Sequence, residues 1–178
     1  MTIQSVIKMG NPDLAVHAVT VQDHSNPIVQ ATIRDMIDTM HARGGVGIAA
    51  PQIGVSLRII VFGFDTNPRY PDEQPIPLTI LINPVINVLS RVFIDGWEGC
   101  LSVPGLRGLV PRFKKIQYQG LDEHGKLISR EAEGFHARVV QHECDHLNGI
   151  LFPQRIHDLH NFGYEDELKN IIWPHQSL

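Results

Sequence analysis

The sequence predicts an α+β fold, and three observations point to it. Residues 134–149 carry apolar side chains at helical period, a second helical pattern follows Asn26, and between them lie short β-rich stretches separated by turn formers. No repeat or low-complexity tract interrupts the 178 residues, a length that suits one compact unit. The expectation is a single domain over residues 1–178, with antiparallel β-strands packed around a long central helix and a C-terminal helix closing the chain.

Taken in order, Asn26 can cap the first long helix, and Pro27 suits its first turn, where a missing N–H costs nothing. Val29, Ile33, Met36, Ile37 and Met40 share one core-facing stripe, and Gly44-Gly45 stops the helix. Gly45 to Gly54 reads as a loop of small residues around one amide, Gln52. No Gly-Lys-Ser/Thr follows it and no strand leads in, which argues against a nucleotide-binding loop. Leu57 to Phe64 reads as a buried strand, and the proline-rich Asp65 to Pro77 as a surface loop. Leu78 to Ile82 and Val85 to Leu89 read as extended pieces punctuated by Asn83-Pro84. Arg91 to Trp97 reads as a strand leading into Glu98-Gly99-Cys100-Leu101-Ser102, after which Val103-Pro104-Gly105 turns the chain. Arg112 to Gln119 alternates, and Gly120 to Lys126 connects it as a hairpin to Leu127 to Glu133. Leu151-Phe152 reads as a short extended piece, and a modest helix is expected from Asp158 onward.

Composition narrows the function classes. With 43% hydrophobic and 19% charged residues the chain is neither disordered nor membrane-spanning. A net charge of −4 and the lack of a Lys/Arg cluster along the sequence argue against a nucleic-acid site. The N-terminus reads as neither a secretory signal nor a transit peptide, so a cytoplasmic setting is expected. There the two cysteines, Cys100 and Cys144, serve a metal or catalysis rather than a disulfide, which would be the reading for an exported protein. A monomer is the default expectation.

The densest chemistry lies in Gln141-His142-Glu143-Cys144-Asp145-His146. Helical positions four apart share a face with Cβ atoms roughly 5–6 Å apart, so the imidazoles of His142 and His146 can reach one ion. Phe135, Val139, His142 and His146 form a single stripe, with Gly149 as the stop, so the histidines point where the apolar residues point. Glu143 is too oblique to ligate but close enough to take a proton from a water on the ion. The blander alternative is a core helix with hydrogen-bonded histidines and with Glu143 and Asp145 on its solvated face.

A catalytic metal site usually takes three protein ligands and leaves a position for water. A metzincin would place a third His six residues after His146, but Phe152 stands there. Glu165 or Glu167 could serve as in thermolysin-like peptidases, and Cys100, flanked by Gly99 and Leu101 in a turn-rich stretch, is the stronger candidate.

Three stretches can now be set side by side. Gly45-Val46-Gly47-Ile48-Ala49-Ala50-Pro51-Gln52, Glu98-Gly99-Cys100-Leu101-Ser102 and Gln141-His142-Glu143-Cys144-Asp145-His146, in that order, closely resemble the three signature motifs of peptide deformylases. The resemblance runs from the first long helix to Phe152, and three motifs in order are specific where one would be weak. It implies a metal-dependent hydrolase that removes the N-formyl group from the formyl-methionine of newly synthesised polypeptides and releases formate. Cys100, His142 and His146 would be the metal ligands on the central metal-binding helix and the strand beside it, with water in the fourth place. Glu143 would be the acid/base group. The side-chain amide of Gln52 and the N–H of Leu101 would lie at the reacting carbonyl oxygen, where each well-placed donor is worth about 2.7–4 kcal/mol in the transition state. A divalent ion lowers the pKa of its water from 15.7 to roughly 7, so hydroxide is at hand to attack the formyl carbon.

The family places the methionine side chain in a pocket beside the metal. Val46, Phe135 and Val139 are apolar candidates for its walls, and Val46, Gly47 and Gly99 for strand-like hydrogen bonds to an extended substrate backbone. Arg138 stands near that pocket where many bacterial members are aliphatic, and Ile48 replaces a more usual Leu. The run Ala137-Arg138-Val139-Val140 looks more like the branch that includes mitochondrial deformylases and some bacterial ones. Arg138 would line the pocket with its stem, pair with an acid or lie at the surface. Glu98 would pair with Arg107 or Arg112 and hold the Cys100 segment, unless the pair is a solvated one.

The resemblance implies one divalent ion, Fe2+ natively, with Zn2+, Ni2+ or Co2+ as substitutes, although the general affinity order favours nickel and copper over iron. Its implied partners are the formyl-Met N-termini of nascent peptides, with transient ribosome association. Two other classes stand against it: a zinc endopeptidase that replaces Cys100 by Glu165 or Glu167, and a non-catalytic protein with a closed structural metal site. Neither explains Gln52 or the loop around it. His17, His24, His41, His124, His136, His157, His160 and His175 show no competing ligand spacing and read as surface residues.

Overall fold

The computed structural model describes residues 2–172. Within them lie three α-helices, α1 (Pro27–Ala42), α2 (Gly134–His146) and α3 (Glu165–Ile172). The strands are β1 (Gly47–Ala49), β2 (Ile59–Phe64), β3 (Ile76–Val88), β4 (Phe93–Cys100), β5 (Val103–Phe113), β6 (Lys115–Leu121), β7 (Leu127–Glu133) and β8 (Phe162–Tyr164). They form a five-stranded sheet in the order β1-β2-β3-β6-β7 and a three-stranded sheet in the order β4-β5-β8, antiparallel throughout. The α+β class with antiparallel sheets is as expected.

The core explains why β2 reads as a continuous apolar run. Ile60 and Phe62 face a cluster with Tyr118, Val140 and Leu147, while Ile59 and Val61 face a second cluster with Met36, Met40 and Ile48 of α1 and β1. A strand covered on both faces has no polar side to alternate. Each such side chain contributes about 1.5–3 kcal/mol when fully buried. A third cluster, with Leu14, Val103, Val110 and Phe152, lies against the smaller sheet. The α1 boundary is set by its cap: Asn26 Oδ1 accepts the Ile28 N–H at 2.9 Å and Pro27 occupies the first turn. α2 has 13 residues against 16 in α1, so the metal-motif helix is not the longer one. It packs against β1, β2, β3, β6 and β7 of one sheet and β5 of the other.

Several boundaries differ from expectation. The pieces on either side of Asn83-Pro84 are one strand, β3. Asn83 takes φ 54 at a register shift between Ile82 and Val85, and its side-chain amide pairs with both backbone groups of Val21 at 2.8 and 2.9 Å. Val103-Pro104-Gly105 does not turn the chain; β5 starts there, and the reversal is Leu101-Ser102. Pro104 and Pro111 are tolerated because β8 covers only Leu106 to Gly108, so neither proline lies between two paired strands. Arg112 to Gln119 is not one strand: the chain leaves β5 at Phe113 and enters β6 of the other sheet at Lys115. The loop after α1 contains β1 and a 3-10 turn, Ala50–Ile53, and Leu151-Phe152 opens another, Phe152–Arg155. The terminal helix begins at Glu165, after a 3-10 turn at Leu159–Asn161 and β8. His24 and His136 are half-buried rather than at the surface, and His175 lies outside the described residues.

Candidate metal centre

Cys100 ends β4, and His142 and His146 stand a turn apart on α2. Their ligand atoms all lie within 4.8 Å of one another. Cys100 Sγ is 3.2 Å from His146 Nε2, and the two imidazole centroids are 5.2 Å apart. With metal–sulfur near 2.3 Å and metal–nitrogen near 2.0–2.1 Å, ligands of one tetrahedral ion stand roughly 3.5 Å apart. The donor set therefore fits a divalent cation and leaves a position for a small molecule. Among the described residues no carboxylate joins this group. Glu165 instead accepts from Arg107 Nε at 3.1 Å and Glu167 is exposed on α3, so neither carboxylate that an endopeptidase reading needs joins the cluster. Cys100 and Cys144 are both free thiols.

The helix that carries the histidines is fixed from beneath by a buried charge network. Glu98 is buried on β4 beside Arg112, which binds it through Nε at 2.9 Å and Nη2 at 3.0 Å, and beside Arg138 Nη1 at 2.8 Å. Glu98 Oε2 also faces His142 Nδ1 at 2.8 Å. Burial opposes its ionisation, but the Arg112 guanidinium and the bond from His142 prevail and hold the carboxyl well below the usual range. Asp145 is buried too, held by Arg112 Nη1 and by Arg155 Nη2 at 2.7 Å. The expected Glu98–Arg112 pair is thus present and buried. Arg107 does not join it, because it bonds Glu165 and the Tyr70 hydroxyl, the latter at 3.0 Å. Neither Glu143 nor Asp145 forms a solvated face.

Glu143 lies against β1. A Cβ added to Gly47 would meet the Glu143 carboxyl carbon at 2.8 Å, so only glycine leaves it room. Burial pushes the Glu143 carboxyl up to about 7, and its Oε2 has no hydrogen-bond partner among the described residues. Gln52 is fully buried in the turn after β1, where its Oε1 accepts the Ala49 N–H at 2.8 Å. That bond turns the Nε2 end toward Cys100 Sγ at 3.4 Å and Ser102 Oγ at 3.2 Å.

One pocket gathers the residues singled out from the sequence. Val46, Gly47, Gln52, Gly99, Cys100, Leu101, Phe135, Arg138, Val139, His142 and Glu143 all line it, and His146 lies behind, within reach of Cys100. Of the three roles open to Arg138, the surface one is overturned. It is buried, donating to Glu98, to Ile94 O and Val110 O at 2.7 Å each, and to Gly96 O at 3.2 Å. The sequence reading missed Arg69, Tyr70 and Trp97, which also line the pocket, and the bond from Glu98 to His142. Tyr70 packs on Phe135 with centroids 4.6 Å apart. Its one sequence signal was its place in a loop long enough to reach a site.

Comparison with known proteins agrees with this geometry. A family model described as polypeptide deformylase matches residues 3–162. Peptide deformylase 1 of Nitrosomonas europaea is 55% identical over 166 residues, covering 93% of this chain and 94% of that one. Peptide deformylase 1 of Bordetella pertussis is 58% identical over 166 residues, with the same coverage of 93% and 94%. A Met-Ala-Ser-bound crystal structure of a class I type b peptide deformylase from Acinetobacter baumannii superposes with a TM-score of 0.83 at 40% identity, covering 87% of this chain and 99% of that one.

Proposed function

The chain belongs to the polypeptide deformylase family, and on that premise we propose how its residues act, as a single catalytic domain spanning residues 1–178 with the sheets assembled around α2. It is a metal-dependent hydrolase that removes the N-formyl group from N-terminal formyl-methionine of nascent polypeptides. The observation that carries the assignment to this pocket is the convergence of the Cys100 thiol, the His142 imidazole and the buried Glu143 carboxyl on one cavity, with the His146 imidazole directly behind it.

Cys100, His142 and His146 hold the ion, which when bound supplies the Lewis acidity that makes water acidic enough to react near neutral pH. Glu143 accepts a proton from the attacking water and returns it to the departing amine nitrogen as the formyl C–N bond breaks. The Gln52 amide and the Leu101 N–H donate to the formyl oxygen as its charge grows. Val46, Phe135, Val139 and the stem of Arg138 wall the methionine side chain, and Gly47 and Gly99 let the substrate backbone approach as an added strand. The native ion is Fe2+, with Zn2+, Ni2+ or Co2+ as substitutes; a thiolate with two imidazoles accepts each of them. The enzyme works as a monomer in the cytoplasm, where formylated chains are made and Cys100 stays reduced, with transient contact to the ribosome. No described helix is long and apolar enough to cross a membrane.

The test is formate release from formyl-Met-Ala-Ser by metal-loaded protein, with the freed methionine N-terminus quantified in parallel. Stoichiometric formate and amine support the reading. Cleavage at internal peptide bonds instead would favour the endopeptidase.

A further inference from the structure

We propose that the groove adjoining the metal pocket selects acidic side chains beyond the second residue of the formylated peptide, an inference that rests on the deformylase reading. The groove shares Gly99, Cys100, Leu101 and Arg107 with the pocket, so a peptide whose methionine sits beside the metal continues into it. Lys8, Arg43 and Arg69 line it as well, all three exposed, and Arg69 lines both cavities. They come from three distant segments, so no basic cluster is visible along a chain whose net charge is −4.

Among the described residues Glu165 is the one acid lining this groove, and Arg107 already engages it at 3.1 Å. Its field is therefore positive on a protein that is negative overall. An extended peptide rises about 3.3 Å per residue, so side chains from the third position outward pass over these cations. A nucleic acid fits less well, because no aromatic ring among the described residues lines the groove for bases to stack on.

Exposed ion pairs are individually weak and screened by salt, so the expected effect is about threefold to tenfold in kcat/KM at low ionic strength. The test compares formate release by the metal-loaded full chain from formyl-Met-Ala-Ser-Asp-Glu-amide and formyl-Met-Ala-Ser-Lys-Arg-amide. It is repeated with the Lys8→Gln/Arg43→Gln double variant and with a single-stranded oligonucleotide as competitor. The acidic peptide should be favoured, with the ratio shrinking in salt and moving toward one in the double variant. A ratio near one in the unaltered enzyme, or one that neither salt nor the double variant changes, would overturn the proposal. Inhibition by the oligonucleotide with a ratio near one would also overturn it and assign the groove to nucleic acid. Formate from neither peptide would count against the deformylase reading itself.

Discussion

Glu98 Oε2 lies 2.8 Å from His142 Nδ1, joining a strand of the small sheet to the helix that carries two of the proposed metal ligands. An ionised carboxylate only accepts, so this contact puts the ring proton on Nδ1 and leaves the Nε2 lone pair available for the ion that Cys100, His142 and His146 would hold. It also holds the ring at a fixed angle. Support of this kind usually matters nearly as much as the ligand it steadies.

Glu98→Gln keeps the shape but removes the charge that answers Arg112 and Arg138. Metal binding should weaken about 10–100-fold in competition with a chelator. The uncompensated guanidinium groups should also cost stability, up to about 3–5 kcal/mol in urea unfolding.

Gly47→Ala should separate chemistry from metal binding. The added Cβ would stand 2.8 Å from the Glu143 carboxyl carbon, so the carboxylate has to move. A shift of about 1 Å can cost on the order of 100-fold in kcat, and overpacking about 1–3 kcal/mol in stability. Metal content by elemental analysis should stay at the unaltered level.

Cys100→Ser and Glu165→Gln distinguish the ligand sets. Loss of the thiolate should strip the ion during dialysis, because serine is a poor ligand at neutral pH. Glu165→Gln should retain it. The reverse result would restore the endopeptidase arrangement.

Stability should depend on pH through His136. Burial, with Arg130 adding to it, holds its imidazole below the usual value of 6.5. The unfolded chain therefore takes up the proton first. The contribution is fully present above the unfolded value and is lost as pH falls from there through the lower folded value. Urea unfolding between about pH 5 and 8 should lose that part of its slope in His136→Gln.

The sequence made His142, Glu143 and His146 legible because helical spacing alone brings them together. Cys100 stood out only as a candidate and Gln52 gained a role only from whole motifs, since strand pairing and a turn, not local period, aim them at the pocket. The role of Glu98 was half visible. An arginine partner could be guessed, but His142 arrives 44 residues later by a path no local pattern records. The strand β8 escaped because three residues display no period, and its pairing with β5 is wholly long-range. β3 was cut in two because Asn83-Pro84 carries the chemistry of a turn, which tertiary bonds to Val21 convert into a bulge. Asp145 read as solvent-facing because its partners, Arg112 and Arg155, are remote or lie beyond the helix.

Glu143 is proposed to move the proton while Cys100, His142 and His146 hold the ion. The decisive measurement is formate release from formyl-Met-Ala-Ser by anaerobically iron-loaded enzyme beside Glu143→Gln at matched metal content. Steady turnover is expected from the first and a rate lower by about 100-fold to 10,000-fold from the second. Equal rates from both, with the ion in place, would rule out proton transfer by Glu143.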